Sequence, residues 1–412
     1  MSKTIKVNVD LDDKEAKQKL KDLQEGKYKV DLDVNVDGAK QATQTLNQMG
    51  ISGKTTTTVF GKLKNAIADT FSSGKLAMTG YLAILKSIGS AADNAKKTID
   101  EYDKSITDLS VAMNGTREEA SQYIQTLNKQ AIALKTTTKS ASDAADTWLR
   151  QGKSVAETET LIQDSLVLSK VGQIESADAA DYLTSALNGY KLEAKDAIGV
   201  IDKLTAVDAV SASESGGLAV SMSKAASAAD MAGVSMDKLV GWIATVKETT
   251  RAADEEVGNS LKTMLSRMNQ VKAGKFIDEE TGESLNDFEK VLGKIGIALR
   301  DANGQFISSE KVLDELGQKF NTLDSVTQRA VATALGGSYQ YAKVIALLSN
   351  YDKALKYTET AENSARSAMK KFETSYLDSL EAKQTELQAT FESVIMHSDL
   401  NKVYGNILDA TT

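Results

Sequence analysis

Residues 213–239 read SESGGLAVSMSKAASAADMAGVSMDKL. Ser213 or Ser215 stands where a helix N-terminus needs a side-chain oxygen to accept a free backbone N–H. The run continues to Met231, and Gly233 follows as the expected left-handed cap. Ser235 then opens a second helix that reaches about Glu248. Helix, tight turn and helix make a helical hairpin, the unit from which the rest of the chain is read.

The same punctuation extends on both sides. Thr116-Arg-Glu-Glu119 and Ser154-Val-Ala-Glu157 are capping boxes, in which the first hydroxyl and the last carboxylate satisfy each other's free N–H groups. They predict helices to about Leu134 and to Gly172. Further helices are predicted at about Ser140–Gln151, Ser176–Gly189, Ala194–Val210, Ala252–Val271, Ser309–Leu323, Val326–Leu335 and Tyr339–Leu348. The turns between them are short, as between antiparallel neighbours. The stretch from Asp352 to Met396 has no glycine and predicts one helix of about 45 residues, roughly 65 Å long.

Composition supports helix throughout. The 412 residues contain no proline and no cysteine, and His397 is the single histidine. Ordinary usage would supply about 20 prolines, each a helix breaker. The hydrophobic fraction is 41% but only 5% is aromatic, so thin alanine-lined seams are expected. The net charge of −8 argues against specific nucleic-acid binding. The N-terminal MSKTIKVNVD lacks the apolar region of a signal peptide. Leu76–Ile88 is apolar but interrupted by Gly80 and Lys86, and falls short of a spanning helix. It is read as a buried or interfacial helix, with late membrane contact as the other reading.

The expected fold is mainly α: antiparallel helical hairpins or a bundle with long helices. Residues 1–50 are read as a small β-α-β-α module, because Ile5–Asp10 and Tyr28–Val36 alternate with period 2 and Val7-Asn-Val-Asp10 recurs as Val34-Asn-Val-Asp37. Residues 51–113 are read as a linker and a glycine-interrupted amphipathic helix, and 114–273 as a helical core. Residues 274–308 are read as a β-hairpin insertion turning at Asn303-Gly304. Residues 309–412 are a helical C-terminal part.

No catalytic, cofactor-binding or metal-ligating set emerges. There is no phosphate-cradling G-x-x-x-x-G-K-[ST], no H-E-x-x-H and no cysteine pair. A Ser-His-Asp triad would have to use His397, which reads as an exposed helical histidine. Asp278, Glu279, Glu280 and Glu283 do not follow a calcium-loop spacing and read as a solvated acidic loop. Ser215-Gly216-Gly217 reads as a plain helix start, with anion binding as the second reading. Met222, Met231, Met236, Met264 and Met268 read as core filler, and Ala225–Ala232 as a close-packing face.

The word order from residue 213 onward resembles the core region of bacteriophage tail tape measure proteins. Ser215–Ala229, Gly233–Leu239 and Gly258–Arg267 are followed by Phe276–Leu285, Asp301-Ala-Asn-Gly304, Val312–Leu316 and Ala334–Gly337. Tyr351–Leu355, Ser364–Met369 and Ser379–Lys383 close the series. The likeness spans about residues 95–400, and residues 1–50 also resemble the start of many such proteins. It implies a non-enzymatic scaffold that sets tail length, nucleates tail-tube assembly and aids genome ejection. The implied partners are the tail tube protein, tail assembly chaperones, distal tail and baseplate proteins, and further copies of the chain. The implied locations are the virion tail lumen and, during assembly, the host cytoplasm. Members are often longer, with coiled-coil arms or peptidoglycan hydrolase domains; this sequence ends at Thr412, as a short member, a prophage remnant or a truncated sequence would. The alternatives are a helical pore-former acting through 76–88, or a fragment of an envelope-degrading tail protein.

Overall fold

The computed structural model describes residues 91–269 and 287–396. The expected module at 1–50, the segment 76–88, the acidic cluster at 278–283 and His397 lie outside the described residues. Among those described, the chain forms 15 α-helices and no strand.

Two compact units divide the described residues. The first holds most of α1 (Ala91–Ala112), then α2 (Arg117–Ala133) and α15 (Leu380–Met396). Helix α1 buries Ile99, Tyr102, Ile106 and Leu109, a stripe at three- and four-residue spacing. Tyr102 Oη and Ser121 Oγ lie 2.9 Å apart, and Arg117 pairs with Asp103. Helix α15 packs on α2 from far along the sequence. There, buried Asn128 donates to Ala389 O at 3.0 Å and to Thr138 Oγ1 at 2.8 Å. Glu392, also buried, accepts from Thr138 N at 3.0 Å. Burial raises its carboxyl above the ordinary range, against the lowering effect of the Thr138 hydrogen bonds.

The second unit runs from Ser140 to Ser379. It contains α3 (Thr138–Arg150) from Ser140 onward, α4 (Val155–Gly172), α5 (Ser176–Gly189), α6 (Ala197–Asp208), α7 (Ser215–Met231), α8 (Met236–Thr250) and α9 (Asp254–Met268). After the undescribed loop come α10 (Asp287–Lys294), α11 (Ser309–Phe320), α12 (Ser325–Ser349), α13 (Tyr351–Glu362) and the short α14 (Ser367–Lys371). Helix α7 packs against α5 and α9 on its two sides, and α8 against α13. Trp148, Trp242, Phe320 and Phe372 are fully buried.

The capping boxes form as read. Thr116 Oγ1 accepts from Glu119 N at 3.2 Å while Glu119 accepts from Thr116 N at 2.8 Å. Ser154 and Glu157 repeat the exchange at 3.3 and 2.9 Å. Both glutamates have carboxyls held below the ordinary range by these bonds.

One closure recurs at the helix ends. Thr136 N donates to Ala131 O, Ile174 N to Ser169 O, Leu192 N to Leu187 O and Val234 N to Ala229 O, at 2.8–3.0 Å. The residue before each donor is left-handed: Lys135, Gln173, Lys191 and Gly233, with φ of 52, 53, 55 and 67°. This is the six-to-one bond of the Schellman motif, which satisfies orphan carbonyls without proline. The same closure forms after Asn114, Gly152 and Gly296, so among the described residues four of seven such left-handed positions are not glycine, although α4 and α5 end on Gly172 and Gly189.

Two expectations are corrected. Of the stretch read as a β-hairpin insertion, 274–286 lies outside the described residues, and the described part, 287–308, holds helix α10 (Asp287–Lys294) and no strand. Residues 299–307 form a loop with one antiparallel bridge, Arg300 to Phe306. Asp301 N donates to Gln305 O and Ile307 N to Leu299 O, both at 2.9 Å, while Asp301 Oδ1 accepts from Asn303 N and Gln305 N, both at 2.9 Å, so a side chain closes the turn and the pairing stops at one bridge. Nor is 352–396 one helix. It divides into α13, α14, a π-helical turn at Phe372–Tyr376 and α15, with Arg366 left-handed at φ 66°. The break is held by side chains from α6, described below. The pair expected at Val326–Leu335 and Tyr339–Leu348 forms as α12 with a kink at Gly337, whose φ of 64° and ψ of −172° suit only glycine.

Gln173 is exposed and left-handed, a conformation costing an L-residue about 1–2 kcal/mol. Gln173→Gly is expected to raise the unfolding free energy by about 1 kcal/mol, read as a higher urea midpoint with an unchanged slope.

Candidate functional site

Helix α7 is the most closely surrounded element of the second unit, and its small residues set that closeness. A Cβ placed on Gly216 would lie 2.4 Å from the carbonyl oxygen of Gly172, and one on Gly258 would lie 2.3 Å from that of Ser221. A Cβ on Gly189 would meet the Ala226 methyl at 2.7 Å. The helix backbones therefore approach where a side chain is missing. Ser215, Ser221, Ala225, Ala226 and Ala229 are buried along the same helix. The close-packing reading of Ala225–Ala232 is what the structure shows. Met222, Met264 and Met268 are fully buried and Met236 nearly so. Met231 is instead 82% exposed: at the last turn of α7 it lies off the face that carries Ala225 and Ala229.

The start of α7 is occupied by the protein's own carboxylate. Asp208 Oδ2 accepts from Ser215 N at 3.0 Å, from Ser215 Oγ at 2.5 Å and from Lys371 Nζ at 2.7 Å. That internal anion uses the N–H a bound anion would need. A Cβ on Gly217 would lie 2.7 Å from the Asp254 carboxylate, which pairs with Lys247. Ser221 Oγ donates to Asp254 O at 2.7 Å.

Other acidic side chains fasten helix to helix in the same way. Asp314 on α11 accepts from Lys238 Nζ on α8 at 2.5 Å and from Tyr351 Oη on α13 at 2.7 Å. Gly317 makes room for the Tyr351 ring, which a Cβ would meet at 2.2 Å. Burial, then the Asp314 carboxylate, pushes the Tyr351 phenol well above its ordinary range. Glu248 accepts from Lys353 Nζ at 3.0 Å and from Tyr357 Oη, and the Tyr357 bond leads in holding its carboxyl low. Asp202, buried on α6, accepts from Arg366 N at 2.8 Å and Ala368 N at 2.9 Å.

These fasteners were not singled out from the sequence. The available signal was a carboxylate inside an apolar run: Asp202 follows Val200-Ile201, and Asp164 sits between Leu161-Ile162 and Leu166–Leu168. Asp164 is 6% exposed, and burial together with the charge of Asp202 pushes its carboxyl up to about 7. Among the described residues no group of His, Cys, Asp or Glu could hold a metal ion. The arrangement does mechanical work: it sets distances between helices and holds their ends.

The region so arranged is the region that a family model matches. The model of the phage-related minor tail proteins covers residues 121–337, from α2 to the kink of α12. That is more than half of the chain, and the chain belongs to this family: it is a phage tail protein. No solved structure matches it.

Gly216→Ala sets a methyl against the backbone of Gly172 and is expected to cost about 1–3 kcal/mol. Gly199→Ala, in α6 with open space around it, is expected to add roughly 1 kcal/mol of stability. Urea unfolding of the two variants, read in opposite directions from the parent, checks the packing role.

Proposed function

We propose that this phage tail protein is a tape measure protein, a non-enzymatic scaffold whose length sets that of the tail and which nucleates assembly of the tail tube. The observation that carries the reading is the ordered series of tape measure words from Ser215 to Lys383, running through and beyond the family match. A helical architecture supports it, because helix converts residue number into length at a constant 1.5 Å per residue. The chain's 412 residues would span roughly 600 Å as continuous helix. The hairpins described above favour a folded form before or outside the tail, opened into a longer one during assembly.

The proposed partners are the tail tube protein, the tail assembly chaperones, the distal tail and baseplate proteins, and further copies of the chain. The proposed location is the tail lumen. With no disulfide to lock a hairpin and no prolyl bond to isomerise, the chain is suited to refolding on leaving a tube. Among the described residues no helix is long and apolar enough to cross a membrane.

In-frame deletion of whole helical turns within 59–88 is expected to shorten tails, by about 1.5 Å per residue removed if the segment is helical in the tail. Negative-stain electron microscopy measures this; tails of unchanged length would count against the ruler. Zymography of the purified chain on peptidoglycan is expected to show no cleared band, and a band would overturn the non-enzymatic reading.

A further inference from the structure

The stretch from Tyr351 to Tyr376 contains no glycine and no proline, yet it breaks at Arg366. Alanine, lysine, glutamate and arginine favour helix on both sides of the break. In an uninterrupted helix Arg366 N would donate to Glu362 O, and Ala368 N to Ser364 O. Arg366 N donates instead to Asp202 Oδ2 at 2.8 Å, and Ala368 N to Asp202 Oδ1 at 2.9 Å. Between them Ser367 N donates to Ser364 O at 3.0 Å, one residue short of the helical spacing. One carboxylate of α6 thus occupies two of the N–H groups that continuous helix needs.

The two sides of the break are held differently. Helix α13 lies backbone to backbone on α8: a Cβ on Gly241 would come within 2.7 Å of Ala354 O and 2.9 Å of Thr358 N. Lys353 and Tyr357 fasten α13 to Glu248, and Tyr351 fastens it to Asp314. Beyond the break, α14 has five residues, too few to persist as an isolated helix, and buries only Ala368. Its further hold is Lys371 on Asp208 at 2.7 Å, then Phe372 and Tyr376, buried in the π-helical turn that follows. Lys170 of α4 sits 4.8 Å from the Tyr376 ring centroid. Arg366 itself is exposed and left-handed, a conformation disfavoured for an L-residue. Local preference therefore points to helix, and α6 imposes the break.

We propose that residues 351–376 form a two-state joint. It is bent while Asp202 holds Arg366 N and Ala368 N, and becomes a single helix, roughly 39 Å long, once Asp202 lets go. Helix α13 stays on α8, while α14 and the π-helical turn swing off α6 and α4. The two N–H groups then return to Glu362 O and Ser364 O, so the backbone exchanges acceptors and loses none. Release of one side chain converts a corner into length. The joint is a property of the chain itself; its use in lengthening a tail protein rests on the tape measure reading.

Double electron–electron resonance on the full chain tests the joint. With no cysteine in the sequence, Asp352→Cys and Glu373→Cys, both at exposed positions, carry the only nitroxides. A straight helix would place their backbones about 32 Å apart. The parent is expected to show one distance, set by the bent segment, and Asp202→Ala to add a narrow component near that straight-helix value. The ratio of straight to bent is expected to rise at least about tenfold for each of the two bonds removed.

Arg366→Val, at an exposed position where a β-branched residue resists positive φ, should bring out the same component with Asp202 in place. It provides a reading if Asp202→Ala does not fold. Arg366→Gly, which accepts the left-handed turn, should suppress the component in the Asp202→Ala background. One unchanged distance in both Asp202→Ala and Arg366→Val, or a broad distribution without the straight-helix component, would overturn the joint. Tail length does not enter the measurement, so the joint and the ruler reading stand or fall separately.

Discussion

The distance of closest approach between helices is the constraint on which the second unit depends. Helices α4, α5, α7 and α9 meet backbone to backbone because Gly172, Gly216, Gly189 and Gly258 have no Cβ in the way. A single methyl at Gly216 or Gly258 would fall inside contact distance of a carbonyl oxygen. This explains how a chain with 5% aromatic residues still builds a core. Small side chains bury little area each, so stability comes from many tight seams rather than a few large groups.

Close seams leave helix ends that have to be satisfied, and acidic side chains do much of that work. Asp208 and Asp202 reach across from α6 to backbone N–H groups at the starts of α7 and α14. Asp314 and Glu248 gather a lysine and a tyrosine each between neighbouring helices. Pairing is what makes a buried carboxylate tolerable, and burial, then the charge of Asp202, pushes the Asp164 carboxyl up to about 7. Fastening by charge differs from fastening by apolar area in that protons and ions can undo it, without any change to the packed seams.

That division is one the proposed ruler would use, compact at one stage and extended at another. The seams and caps define hairpins, while the joints at Gly337 and Arg366 interrupt what would otherwise be longer helices. Among the described residues no group of three or more His, Cys, Asp or Glu could hold a metal ion. Membership of the phage-related minor tail family places that architecture in the tail, and the ruler reading rests on the ordered words that extend past the family match.

Local chemistry was legible in the sequence. The capping boxes at Thr116 and Ser154, the helix start at Ser235 and the two-helix reading of 326–348 all depend on residues within a few positions of one another. The family resemblance was legible for a related reason, since word order is a property of the chain alone. What the sequence could not reveal is what each residue meets in space. Gly172 and Gly189 look like helix stops, and helices do end there. The left-handed turns, however, fall on Gln173 and Lys191, and the glycines serve α7. The stretch from Asp352 to Met396 has every local mark of one helix, yet Asp202, far back in the sequence, holds it open at Arg366. Periodicity and capping act over one or two turns, so the sequence by itself determined where the capped helices at Thr116, Ser154 and Ser235 begin. Close approach and buried charge act between residues distant along the chain, so only the tertiary structure decided which glycines are contacts, which carboxylates are fasteners and where a long helix breaks.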